Sequence, residues 1–139
     1  MVAATVPTTA NPRSGFKESN VGVTAMTLPH AWVTAETDDV GDIVEFGYLP
    51  GGVTVFAVLN KAPDLDTNAT PLITQTLDIG GTAVFTADGL CKTGGSEIYG
   101  IVPLVLTAPT LVKMTIAAAA ATHANGTQYL TFFYRSTSS

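Results

Sequence analysis

Short runs of apolar and β-branched residues recur along the chain from residue 22 onward, separated by clusters of Gly, Pro, Asp and Asn. This rhythm is typical of β-sandwiches and barrels, in which short strands are joined by turns. Eight runs fit the pattern, at residues 23–28, 30–35, 42–49, 53–60, 72–79, 101–106, 110–117 and 128–135. The pattern therefore predicts an all-β domain of about eight strands.

Alternation within the runs predicts which side chains face the core. In the run 72–79, the apolar residues Ile73, Leu77 and Ile79 alternate with Thr and Asp, and the run 110–117 alternates in the same way. Such period-two patterns indicate strands with one buried and one wet side. The run 53–60 is apolar on both sides, which predicts either a central strand or a strand with one side in an interface.

Gly and Pro residues predict the breaks between strands. The segment 49–52, Leu-Pro-Gly-Gly, is a turn signal from which we expect a hairpin, and Asn125-Gly126 is a second turn signal. Pro103 lacks an N–H donor, so the run 101–106 is expected at a sheet edge or a bulge. Residues 81–100 contain five glycines and are expected to be irregular, with a helical turn around residues 82–88.

The two ends of the chain lack this strand pattern. Residues 1–20 contain Pro7 and Pro12, many Thr and Ala, and a single aromatic residue, Phe16. Because proline removes donors and fixes φ, we interpret this segment as an extended arm. It is either a disordered tail or a segment that becomes ordered on a neighbouring subunit. The expected organisation is thus an arm at 1–20, a β domain at 21–135 and a flexible tail at 136–139.

Charged residues are scarce, and this narrows the classes of partner. They make up 12% of the 139 residues, about half of the usual share of roughly 25%. Threonine takes much of their place, with 22 residues in the chain. A neutral exterior is easily covered by a partner because few ions must be desolvated. The alternative is that a β-rich protein uses Thr because strands favour it.

The six basic residues are scattered singly in a chain with a formal net charge of −5. Nucleic-acid binding needs a basic stripe, and anionic membranes need basic clusters, so neither partner is expected. No apolar run approaches the roughly 20 residues that span a bilayer, and the N-terminus lacks a signal-peptide pattern. The lone Cys91 has no partner for a disulfide, which fits synthesis in a reducing compartment.

No motif in the sequence indicates catalysis. A nucleophile such as Cys91 needs a base within reach, and only His30 and His123 are available, with no recognisable motif around them. Zinc sites need clustered Cys and His, which this chain does not have. We therefore expect a protein that is not an enzyme and that has no cofactor.

Two acidic segments are candidates for a calcium site. Asp64-Leu-Asp66-Thr-Asn68 begins like an EF-hand loop, but Ala69 stands where the loop needs Gly, and Gln75 stands where it needs Glu. A looser oxygen site at Asp38, Asp39 and Asp42 stays open, although acidic turns are usually only solvated. No metal is therefore predicted, with a weak calcium site at either segment left undecided.

Aromatic residues are the candidates for contacts. Trp32 and the aromatics of the last run could form a flat sugar-binding platform or pack in the core. Phe132 and Phe133 are adjacent and must face opposite sides of a strand, which favours a buried strand or a partner surface. The candidate contact residues, for self-association or for a partner surface, are Phe16, Trp32, Tyr48, Phe56, Tyr129 and Phe133.

The segment 47–81 carries a resemblance to a known family. It contains a Leu49-Pro50-Gly51 turn, a strand, an Asp64-Leu65-Asp66-Thr67 turn and a Thr-rich strand that ends in Leu77-Asp78-Ile79-Gly80. This order resembles the cement or head-decoration proteins of Bordetella-type short-tailed phages. The resemblance implies a jelly-roll fold and a clamp on the outside of an icosahedral shell, with no catalytic or cofactor residues.

These expectations lead to one leading hypothesis and one alternative. The leading hypothesis is a structural virion protein, made in the host cytoplasm, that binds the major capsid protein and itself, more as a dimer than a trimer. It would lie on the outer capsid surface and cement adjacent capsomers. The alternative is a carbohydrate-binding or adhesion module on the same sandwich, because fold does not decide function.

Overall fold

The computed structural model describes residues 22–33, 36 and 40–137, which form two four-stranded antiparallel sheets packed face to face. The strands are β1 (Thr24–Trp32), β2 (Ile43–Leu49), β3 (Val53–Ala62), β4 (Thr74–Ile79), β5 (Thr82–Asp88), β6 (Gly95–Leu106), β7 (Thr110–Ala118) and β8 (Gly126–Ser136). A short 3-10 turn, Leu90–Lys92, precedes β6.

The strand order identifies the fold as a jelly roll. The first sheet has the order β1-β8-β3-β6 and the second the order β2-β7-β4-β5, with every neighbouring pair antiparallel. Most successive strands therefore lie in opposite sheets, which is the interleaved arrangement of an eight-stranded jelly roll. The all-β jelly-roll sandwich is confirmed.

The core lies between the sheets and includes the residues that alternation predicted to face it. Ile73, Leu77 and Ile79 of the predicted run 72–79 are at most 1% exposed, as are the alternating apolar residues of β7. β3 lies between β8 and β6, so of the two alternatives for the strand that is apolar on both sides, the structure shows the central position. Its alternation is interrupted between Val55 and Ala57 by a bulge, which leaves Phe56 out of register with the core residues.

Proline positions agree with the edges of the first sheet. Pro103 lies in β6, an edge strand, opposite the bulge in β3. Pro29 lies in β1, the other edge strand, and the two runs predicted at 23–28 and 30–35 are one continuous strand through it. An edge strand tolerates proline because one of its sides has no ladder to maintain.

Two predictions about connections were wrong. The segment 49–52 is a turn, and Gly52 has φ +74°, but it joins β2 of the second sheet to β3 of the first and makes no hairpin. The tight hairpin is instead β4–β5, joined by Gly80 and Gly81, both with positive φ, as a two-residue turn requires. Residues 82–88 are therefore a strand and not a helical turn.

The structure describes the start of the predicted C-terminal tail but none of the predicted N-terminal arm. Residues 1–20, including Phe16, lie outside the described residues. At the other end, β8 continues to Ser136, and the Thr137 N–H donates to the Gly52 carbonyl at 3.0 Å, so the first residues of the predicted tail are part of the fold. Among the described residues, no helix is long and apolar enough to cross a bilayer.

Candidate interaction surface

Trp32 is a core residue and belongs to a buried polar network that joins the two sheets. Its indole Nε1–H donates to Gln128 Oε1 at 2.9 Å, and the Gln128 and Gln75 amides bond each other reciprocally at 3.1 Å. Gln128 Nε2 also donates to Asn60 Oδ1 at 2.7 Å. Since Trp32 is only 1% exposed, it contributes to packing and not to a contact surface.

The network leaves one group unsatisfied. Asn60 Nδ2 is buried and has no hydrogen-bond partner among the described residues. An unpaired buried donor costs about 1 to 3 kcal/mol. The remaining bonds fix the relative position of β1, β3, β8 and β4, because each amide must meet its partner at hydrogen-bond distance.

Asp66 is occupied by the backbone and has no free oxygen for a metal. Oδ1 accepts the N–H groups of Asn68 and Thr122, and Oδ2 accepts those of Leu72, Ile73 and Ala121, at 2.7–3.3 Å. Burial by itself raises the pKa of Asp66, but these amide donors outweigh it and hold the pKa well below its usual range. The carboxylate therefore ties the loop after β3 to the segment before β8.

Cys91 and Tyr99 are not activated for catalysis. Burial raises the pKa of the Cys91 thiol to about 12, so the thiol stays protonated at neutral pH. Burial, together with a hydrogen bond from the Tyr99 hydroxyl to Asp88 Oδ2 at 2.6 Å, raises the pKa of Tyr99 well above its usual range. Within the described part of the chain, no group of three or more His, Cys, Asp or Glu side chains is placed to hold a metal ion.

The outer face of the first sheet is the largest surface poor in charge that the register defines, and we call it the neutral face. It carries two basic residues and no acidic one. It consists of Ala25, Thr27, Pro29 and Ala31 of β1; Thr127, Tyr129, Thr131, Phe133 and Arg135 of β8; Thr54, Phe56, Ala57, Leu59 and Lys61 of β3; and Ser96, Ile98, Gly100, Pro103 and Val105 of β6.

Three of the predicted contact residues lie on the neutral face. Tyr129 is 41% exposed, whereas Phe133 and Phe56 are half-buried. Phe56 lies in the β3 bulge and lines a shallow groove of about 220 Å³ with Val23, Thr54, Pro103 and Arg135. The structure thus brings Tyr129, Phe133 and Phe56 to one side of the sandwich, although they are distributed over two strands.

The outer face of the second sheet differs in charge, and we call it the charged face. It consists of Ile43, Glu45 and Tyr48 of β2, Leu111, Lys113 and Thr115 of β7, Thr74, Thr76 and Asp78 of β4, and Ala83 of β5. Glu45, Lys113 and Asp78 lie side by side across it. Tyr48 is 60% exposed on this face, so it lies on the opposite side of the molecule from Tyr129.

Sequence reasoning missed Ile98 and Val105, which are among the most exposed large apolar residues of the neutral face, at 66% and 57%. Both lie in β6, whose first half falls in the segment predicted to be irregular. The alternation of Ile98, Gly100 and Pro103 is too weak to indicate a strand, so only the pairing with β3 reveals their common face.

Comparisons with known proteins place this fold among phage capsids. No protein-family model and no curated protein matches the chain. Among solved structures, the chain is similar to one in the cyanophage Pam1 capsid asymmetric unit, with 29% sequence identity, a TM-score of 0.73 and 93% of each chain covered. It is also similar to a chain in the capsid of Ralstonia phage GP4, with 27% identity, a TM-score of 0.66, and 96% of this chain and 93% of that chain covered.

These similarities support a phage capsid-related protein. They extend over nearly the whole chain, so they concern the entire jelly roll and not one motif within it. They agree with the part of the sequence resemblance that pointed to a phage virion.

Proposed function

We propose that the chain is a structural virion protein that binds the outside of an icosahedral phage capsid and cements adjacent capsomers. The observation that carries the proposal is the similarity, over 93% of the chain, to a chain of a phage capsid structure. Its partners are the major capsid protein and a second copy of itself, and its location is the outer capsid surface.

The described side chains support a role without turnover. The groups that could do chemistry are used for folding: Asp66 binds backbone amides, Cys91 is buried, and the Tyr99 hydroxyl is bonded to Asp88. A cement protein acts through the area it buries, and contacts repeated over a symmetric shell raise the effective concentration of each further contact.

The proposal is tested with shells of the same phage assembled without this chain. The purified chain is expected to co-sediment with the shells and to raise the temperature at which they rupture. A purified chain that stays in the supernatant at concentrations well above its sites on the shell would contradict the proposal. Binding on a glycan array in place of shell binding would favour the carbohydrate-binding alternative.

A further inference from the structure

We propose that the neutral face is the surface that meets the shell, and that its partner is a flat protein surface with an apolar centre and carboxylates at its rim. This inference rests on the proposed function and names the face and the chemistry of the contact. It is carried by the distribution of charge between the two outer faces, by the hydrogen bonding within the neutral face and by the groove at one end of that face.

The centre of the neutral face is built to be covered. Thr27, Thr131, Leu59 and Ile98 form one row across the four strands. The Thr27 and Thr131 hydroxyls bond each other at 2.9 Å, which pairs one of their two O–H donors, so a partner that covers both needs to accept only one hydrogen bond. The row therefore offers mainly apolar atoms and few unpaired polar groups, as the core of an interface does.

Charge lies only toward the two ends of this face. Lys61 is in register with Tyr129, and Arg135 is in register with Thr54. Positions 129 and 135 of β8 are six residue steps apart, which corresponds to about 20 Å along the strand. A fitting partner would thus offer carboxylates at two points about 20 Å apart, one on each side of the apolar centre.

The charged face is a poorer surface for burial. Glu45, Lys113 and Asp78 cross its middle in register, so any partner there must desolvate three ionised side chains. Desolvation of charges often cancels the attraction that pairing them gains. The neutral face carries its two charges at the ends, where they remain near solvent.

A second copy of the chain is a poor occupant of the neutral face. Pairing two such faces would bring together two sets of Lys61 and Arg135 with no acidic residue on either side.

The groove at one end of the face suggests an anchor point. Its volume of about 220 Å³ is below the roughly 300 Å³ at which small-molecule pockets begin. It is lined by Phe56, Pro103 and Val23, and Arg135 is at its edge. These dimensions and this lining fit one apolar side chain of the partner, next to one of the carboxylates.

Two exposed isoleucines form a matched pair for the test. Ile98 is 66% exposed on edge strand β6 of the neutral face, and Ile43 is 56% exposed on edge strand β2 of the charged face. Binding of full-length Ile98→Asp and Ile43→Asp to shells lacking the chain is measured by co-sedimentation titration. We expect Ile98→Asp to weaken binding roughly tenfold or more, and Ile43→Asp to leave it within about twofold.

A second pair keeps the test valid if an aspartate variant fails to fold, which circular dichroism would show. Tyr129→Ala on the neutral face is expected to weaken shell binding, and Tyr48→Ala on the charged face is expected to leave it unchanged.

The contribution of charge is tested with Lys61→Gln and Arg135→Gln, each of which is expected to weaken shell binding. Lys113→Gln on the charged face is the control and is expected to leave shell binding unchanged.

The outcomes separate this inference from the function it rests on. If the wild-type chain does not bind shells, the proposed function and this inference both fail. If the wild-type chain binds and Ile98→Asp and Tyr129→Ala bind equally well, the function stands and the assigned face is wrong. If the neutral-face variants instead turn a self-associated protein into a monomer, with shell binding unchanged, the face is an interface between copies and the inference is overturned.

Discussion

At the residue scale, Asp66 is the side chain that joins the loop after β3 to the segment before β8, 55 and 56 residues away. Its carboxylate accepts five backbone N–H groups, from residues 68, 72 and 73 on one side and 121 and 122 on the other. Hydrogen bonds to a charged group are stronger than those between neutral groups. The sequence showed an Asp-Leu-Asp turn, but its acceptance of amides 55 residues away depends on the fold.

Replacing Asp66 by Asn is expected to destabilise the protein by about 2 to 4 kcal/mol. The amide has one acceptor oxygen in place of two, and its NH₂ group would face backbone donors. Urea unfolding at neutral pH measures the loss. Asp64→Asn is the matched control. Among the described residues, exposed Asp64 accepts only the Asp66 N–H, at 3.0 Å, so this substitution should cost far less.

The same residue predicts how stability depends on pH. Because the pKa of Asp66 is lower in the folded protein than its ordinary 3.8, its contribution is complete above that value and is lost as the pH falls below it. Urea midpoints of the wild type should therefore drop from pH 5 to pH 3, and more steeply than those of Asp66→Asn. Equal slopes for the two proteins would contradict the assigned role.

At the element scale, nearby residues predict where a strand forms, but they do not predict which strand it pairs with. The turn at 49–52 has the residues of a hairpin and nevertheless connects two sheets. Conversely, the pair Gly80-Gly81 forms a hairpin turn at the start of the segment 81–100, which was predicted to be irregular. Both mistakes arise because turn residues determine a local backbone bend, while pairing depends on which strands bury each other's apolar sides.

The predicted N-terminal arm is also an element that can be tested. The eight strands of the described residues lie within residues 24–136, so deletion of residues 1–18 leaves each of them intact and should leave the melting temperature nearly unchanged. We expect the truncated protein, and full-length Phe16→Ala to a smaller degree, to bind shells more weakly. Binding by the truncated protein as tight as that of the full chain would show that the arm has no role in attachment.

At the scale of the whole molecule, the two outer faces of the sandwich differ in composition although both belong to β-sheets. The threonines of the neutral face accompany Leu59, Ile98 and Tyr129, whereas those of the charged face flank Lys113 and Asp78. A preference of strands for Thr accounts for both sets. It does not account for the absence of acidic residues from one face, which is the feature that points to a partner.

Stability of the whole fold is expected to be independent of metal ions. The melting temperature, followed by circular dichroism, should be the same with and without EDTA, because the Asp66 oxygens are bound to amides and not free for a cation. A decrease of several degrees on chelation would contradict this. Asp42→Asn measured in parallel would then test the acidic segment that includes Asp38 and Asp39.

The sequence by itself was sufficient for the all-β class and the core side of the alternating strands, and it restricted β3 to a central or interface position and Pro103 to an edge or a bulge. These follow from period-two burial and from the missing donor of proline, which are properties of neighbouring residues. Only the tertiary structure shows that Trp32 is buried and bonded to Gln128, and that Ile98 shares a surface with Leu59. It also places Tyr48 and Tyr129 on the two opposite outer faces of the sandwich. A jelly roll sends most successive strands to opposite sheets, so a surface is assembled from strands far apart in sequence, and no local pattern specifies its membership.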